Sequence, residues 1–121
     1  MIKAIHHVSF IVNNTERALT FYRDILELDC DMTRPDLGYS GAWLRVAGQQ
    51  IHLLELPNPD PIEARPAHGG RDRHVAFFID SVTELKMRLQ HHAIEFTESR
   101  SGRAAIFCRD PDGNALEFIE A

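Results

Sequence analysis

Three histidines and one glutamate are spaced so that they could meet at one cation. His7 opens "HVSFIVNN" (7–14) and His74 opens "HVAFFIDS" (74–81), 67 residues further on. His52 lies in "IHLLEL" (51–56) and Glu117 in "LEFIEA" (116–121), so His52 follows His7 by 45 residues and Glu117 follows His74 by 43. Imidazole nitrogen and carboxylate oxygen together suit a divalent Zn, Ni, Fe, Mn or Co ion, and no cysteine joins the set to bias it toward structural zinc. Two histidines and one carboxylate with open positions would also fit non-haem iron. A lone strand histidine is more often a hydrogen-bonded core or rim residue. Four metal-competent groups at repeated positions favour metal binding instead.

The elements that position these groups form an internal repeat. Strand side chains alternate between faces. Val8, Phe10 and Val12 therefore oppose His7, Ser9 and Ile11, and Val75, Phe77 and Ile79 oppose His74, Ala76 and Phe78. The wholly apolar faces must lie under helices, which leaves His7 and His74 on the other side. His52 shares a face with Leu54 and Leu56, and Glu117 with Ala115 and Ile119. An amphipathic helix follows each opening strand. Ala18, Tyr22 and Ile25 form the apolar stripe in the first, and Val82, Leu85 and Leu89 in the second. Ser81 and Glu84 match a capping box. Later strands are predicted near 30–34, 41–47 and 50–56, then near 94–98, 103–108 and 114–120. "DPDGN" (110–114) supplies hairpin-turn chemistry. The stretch 57–73, with four prolines and two glycines, reads as a linker or surface loop. His68 in it is expected to be solvated, His6 to sit at the rim, and His91 and His92 to end a helix, where cations suit the dipole.

With 121 residues, 44% of them hydrophobic, the chain is expected to be one compact domain, a first module of about 1–56 and a second of about 74–121. A net charge of −5 argues against sequence-independent nucleic-acid binding, which needs cationic surface. No apolar run approaches the ~20 residues of a membrane span. "MIKAIHHV" lacks the pattern of a signal peptide. Cys30 and Cys108 suit reduced thiols in a cytoplasmic protein.

The segments "IHHV", "FYRDILEL", "GAWL", "IHLLEL", "RHVAF" and "FCRDPDGNALEFIE" together resemble the vicinal oxygen chelate superfamily. It includes glyoxalase I, fosfomycin-resistance enzymes, methylmalonyl-CoA epimerase, extradiol dioxygenases and bleomycin-resistance proteins. The resemblance implies an α+β fold of two βαβββ modules forming a half-barrel cup around one metal, often in a homodimer. It also implies His7, His52, His74 and Glu117 as metal ligands. The chemistry implied is bidentate chelation of a small substrate's adjacent oxygens, with Glu117 as ligand and base in a glyoxalase-like isomerisation of a thiol adduct.

The pattern departs from glyoxalase I at His52, where that family usually carries a second glutamate. If His52 is a fourth ligand, it completes the protein shell; otherwise it supports or contacts substrate. Fosfomycin-type thiol transfer is the main alternative, since that family binds metal through the equivalents of His7, His74 and Glu117 and carries a hydroxyl residue where Ser9 stands. Against it, the sequence ends at Ala121, without that family's C-terminal arginine-bearing segment. Ring-cleaving dioxygenation and metal-free ligand sequestration complete the alternatives. Arg34, Tyr39, Trp43, Arg103 and Arg109 are candidates to line the cup mouth and grip an anionic substrate.

Overall fold

The computed structural model describes residues Met1–Ala121. The chain divides into two compact units, Met1–Asp60 and Pro61–Ala121. The boundary falls inside the stretch expected to be a linker, and most of that stretch belongs to the second unit.

The first unit runs β1 (His7–Val12), α1 (Thr15–Leu19), β2 (Gly41–Val46) and β3 (Gln49–Glu55). Its sheet has the order β1-β3-β2, with β1 parallel and β2 antiparallel to β3. α1 continues as a π-helical stretch, Thr20–Ile25, closed by the Leu26 N–H on the Phe21 carbonyl at 2.9 Å. The strand expected at 30–34 shrinks to a single bridge, Cys30 to Leu44. Asp31 stops the extension by turning its carboxylate onto the Thr33 N–H (3.0 Å) and hydroxyl (2.6 Å), a local turn that competes with the ladder.

The second unit carries the full pattern: β4 (His74–Ile79), α2 (Val82–His91), β5 (Phe96–Glu98), β6 (Ala105–Arg109) and β7 (Ala115–Glu120), in the sheet order β4-β7-β6-β5. The architecture is therefore α+β, with two βαβββ units, the first having one strand reduced to a bridge.

The repeat holds in register as well as in sequence. His7 lies opposite Gln50 and Ser9 opposite His52 in the β1/β3 ladder; His74 lies opposite Ala115 and Ala76 opposite Glu117 in β4/β7. Because strand faces alternate with period two, this shared register puts His52 on the His7 face and Glu117 on the His74 face. The apolar faces lie under the helices as expected. Phe10, Val12, Leu44, Ile51 and Leu53 are buried with Ala18, Tyr22 and Ile25 in the first unit. Leu116 and Phe118 are buried with Val82, Leu85 and Leu89 in the second.

Each helix start is fixed twice. Asn14 Oδ1 accepts from the Arg17 N–H at 2.9 Å, and Ser81 Oγ accepts from the Glu84 N–H at 3.1 Å. In addition, the last strand of each unit ends in a glutamate that reaches the first helical N–H: Glu55 Oε1 to Thr15 at 2.7 Å and Glu120 Oε1 to Val82 at 2.9 Å. A carboxylate there satisfies a donor the helix cannot and complements its dipole.

The β6–β7 turn is built by Asp110. Its Oδ1 accepts from the N–H groups of Asp112 and Asn114, both at 2.9 Å, and Gly113 supplies the φ of +84° the turn needs. The stretch before β4 is a surface loop, as expected, but it is equally well tied. His68 accepts from the Gly70 N–H on Nδ1 (3.0 Å) and so carries its proton on Nε2, which donates to the Glu98 carbonyl at 3.0 Å. It is a cap on the 3-10 turn Gly69–Arg71 rather than a solvated residue. At the other helix end, His91 closes α2 and His92 caps it, as expected.

Candidate metal centre

The second unit brings His74 and Glu117 together. His74 Nε2 stands 3.3 Å from Glu117 Oε2. The Asp72 carbonyl lies 2.9 Å from His74 Nδ1 and can only accept, so Nδ1 carries a proton and the neutral ring turns its Nε2 lone pair toward the carboxylate. Two ligand atoms each about 2.1 Å from one cation and roughly at right angles stand about 3 Å apart, so this pair has the spacing of two neighbouring ligands. Glu117 is 4% exposed, and its other oxygen, Oε1, accepts from Arg103 Nη2 at 3.0 Å. Arg103, one of the candidate substrate residues, thus spends a donor on the carboxylate while its side chain remains 55% exposed.

The first unit brings His7 and His52 together in a different geometry. Their rings are stacked, 3.9 Å between centroids and 13° from parallel. Imidazole lone pairs lie in the ring plane, so two nearly parallel rings cannot both aim at one cation without rotating. Trp43 covers the other face of His52 at 4.5 Å. His52 Nε2 lies 2.8 Å from Gln50 Oε1, while Gln50 Nε2 donates to Asp31 Oδ2 at 2.9 Å. This chain fixes the His52 proton on Nε2. Burial lowers the His52 pKa, with His7, His6 and Arg34 adding to the effect and Asp31 opposing it. No group of three or more His, Cys, Asp or Glu side chains stands close enough together to hold a metal ion; the four expected residues form two pairs, one per unit.

The remaining candidates divide. Ser9 is exposed on the His7 face. Arg34 donates to the Tyr39 carbonyl at 2.9 Å and sits over the Tyr39 ring at 5.3 Å. Both line an open groove of about 700 Å³ with Thr15, Ser40 and Glu55. Arg109 has a different task from the expected anion grip. It donates to Asp72 Oδ2 (2.8 Å) and to the carbonyls of Gly113 (2.7 Å) and Pro66 (2.6 Å), tying three segments of its unit together.

Sequence reasoning missed three participants. His6 shares a proton with His7, their Nδ1 atoms 2.8 Å apart. Phe107 lies opposite Glu117 as Trp43 lies opposite His52, and its ring meets His74 edge-on at 5.2 Å. Extending the repeat to the middle strands would have found it. Asp72 holds His74 through a backbone carbonyl, which leaves no residue-type signal.

Residues 4–118 match the model of the glyoxalase/bleomycin resistance protein/dioxygenase superfamily. The chain belongs to this superfamily. Among its curated relatives, Glyoxylase I 4 of Arabidopsis thaliana is 28% identical over 97% of this chain and 70% of its own length. Metallothiol transferase FosB of Staphylococcus epidermidis is 28% identical, covering 98% of this chain and 84% of the relative. In solved structures the superfamily fold recurs in the lactoylglutathione lyase of Agrobacterium tumefaciens (TM-score 0.69, 25% identity, 99% of this chain and 95% of that one). The fosfomycin resistance protein FosX of Listeria monocytogenes shares the fold at a TM-score of 0.78 and 21% identity, over 98% and 91% of the two chains. These superfamily relatives carry names for both lyase and thiol-transfer chemistry. No helix of this member is long and apolar enough to cross a membrane.

Proposed function

We propose that this chain is a divalent-metal-dependent enzyme of the glyoxalase type, isomerising a small thiol adduct that presents two adjacent oxygens. The observation that carries the reading is the His74–Glu117 pair, 3.3 Å apart with His74 Nδ1 held by the Asp72 carbonyl and Nε2 turned toward the carboxylate. His74 and Glu117 are the cation ligands of this reading; His7 is the metal-competent imidazole of the first unit, with His52 packed against its ring. When bound, a divalent ion supplies Lewis-acid polarisation of the substrate oxygens. Glu117 acts as the base. It takes the proton from the carbon bearing sulfur and hydroxyl and returns it to the neighbouring carbonyl carbon, while the hydroxyl proton passes to that carbon's oxygen, so the hydroxyl carbon becomes the thioester carbonyl and no atom is lost. Arg103, hydrogen-bonded to Oε1, keeps the carboxylate oriented. Tyr39 and Arg34 offer an anion-binding edge on the first unit.

Thiol transfer to a small electrophile is the second reading, favoured by the stacked His7–His52 geometry, which presents one imidazole rather than two from the first unit. The FosB relatives agree with it in name.

Elemental analysis of the purified protein, followed by assays with a hemithioacetal and with a thiol plus an epoxide, tests both. Metal-dependent turnover of the hemithioacetal, abolished by Glu117→Gln, is expected. Thiol addition to the epoxide alone would favour the second reading, and a protein that takes up no divalent ion would overturn both.

A further inference from the structure

Asp72 engages its surroundings twice. Its carbonyl accepts the Nδ1–H of His74, and its carboxylate is gripped from both sides. Arg65 donates from Nη2 to Oδ1 at 2.7 Å and from Nε to Oδ2 at 2.9 Å, Arg109 adds Nη1 to Oδ2 at 2.8 Å, and the Arg73 N–H reaches Oδ1 at 2.8 Å. The Asp72 N–H is itself held by the Gly69 carbonyl at 3.1 Å. With its side chain and its N–H both fixed, the residue has little freedom to turn its carbonyl away.

That matters because the His74 proton has two competing destinations. On Nδ1 it meets the Asp72 carbonyl at 2.9 Å; on Nε2 it would meet Glu117 Oε2 at 3.3 Å. A carboxylate is the stronger acceptor. A carbonyl free to swing aside would lose that contest, and His74 and Glu117 would close into a hydrogen bond with no lone pair left for a cation.

We propose that the Arg65–Asp72–Arg109 clamp is a positioning device for His74, holding the Asp72 carbonyl on Nδ1 so that the Nε2 lone pair stays available beside Glu117. The proposal rests on the reading of His74 as a metal ligand. Arg65, Asp72 and Arg109 are positioning residues, acting through His74. Arginine suits the task because its planar fork fixes the carboxylate in direction as well as position, which a point-charge ammonium cannot do.

The test uses the full chain, imidazole-labelled with ¹⁵N and stripped of metal, to read the His74 tautomer by long-range ¹⁵N–¹H correlation. Zinc affinity is then measured by chelator competition. The parent should show a single Nδ1–H tautomer. Arg65→Met should bring up the Nε2–H form and weaken zinc binding by about 10- to 100-fold, the scale of outer-contact changes at metal sites, with unchanged stoichiometry. Arg65→Lys should recover only part of the loss. A folded Arg65→Met protein with the parental tautomer and parental zinc affinity would overturn the proposal. If Arg65→Met does not fold, Asp72→Asn and Arg109→Met are read in the same way. A parent that binds no zinc but keeps the Nδ1–H tautomer, lost in the variants, would overturn the functional reading and leave the clamp standing.

Discussion

Trp43 lies flat against His52, their ring centroids 4.5 Å apart and their planes 11° from parallel. It is the single tryptophan of the chain, so its emission reports this one contact. Burial, followed by the nearby His7, His6 and Arg34, holds His52 below the ordinary value of 6.5. In the metal-free protein, Trp43 emission should therefore change with a midpoint below pH 6.5, and the step should vanish in His52→Gln. The unfolded chain binds this proton more readily than the folded one. The stability contributed by neutral His52 is thus complete above pH 6.5 and lost as pH falls through the folded pKa. Denaturation midpoints that stay flat or rise on acidification through this window would contradict the assignment.

Replacing His52 distinguishes a ligand from a support. His52→Ala should keep bound metal at parental stoichiometry and lower affinity by no more than about 10- to 100-fold. His7→Ala and His74→Ala should each remove most of the metal. Loss of all metal in His52→Ala would make residue 52 a ligand after all.

The glutamates that end β3 and β7 predict a stability effect with no functional content. Glu120→Ala leaves the Val82 N–H without its carboxylate and should cost about 1 kcal/mol, as removal of a helix cap does. Urea unfolding should show a lower midpoint with an unchanged slope.

Ala93 follows α2 with a φ of +54°, where a Cβ is strained. Ala93→Gly should stabilise the protein by about 1 kcal/mol, visible as a raised melting temperature.

The thiols should separate by reactivity. Cys108 is 4% exposed, and burial pushes its pKa up to about 12, whereas Cys30 is partly open. A thiol reagent should label one cysteine in the native protein and two in denaturant; rapid native labelling of Cys108 would refute its burial.

Dimerisation is the remaining expectation. β1 and β4 each end the strand order of their own sheet, and Phe78 on β4 is 78% exposed. Edges of this kind are usually covered. Sedimentation should give about twice the 13.8 kDa of the chain, and Phe78→Glu should shift it toward monomer.

The periodicity of "HVSFIVNN" and "HVAFFIDS" was enough to fix both opening strands, the faces of His7 and His74, and the helices that follow. Side-chain parity on the last strands placed His52 and Glu117 correctly, because one register serves both units. The rest depended on contacts without a residue-type signature. Ring stacking of His52 between His7 and Trp43 is a matter of side-chain rotation, which spacing does not carry. The order in 61–73 comes from Arg65, His68 and Asp72 reaching partners in their own unit, and a composition rich in proline and glycine conceals it. Asp31 shortened the strand expected at 30–34 through its own side chain.

The helical span after β1 covers Thr15–Ile25, eleven residues, while its counterpart α2 covers Val82–His91, ten. The π-helical stretch, with its Leu26-to-Phe21 bond reaching back five residues instead of four, makes the last turn of the first span wider than any turn of α2. Tyr22 and Ile25 stayed buried, and His52 kept the register of Glu117. The two units differ in helical length and in the width of that one turn, yet their strands are read off the same ruler.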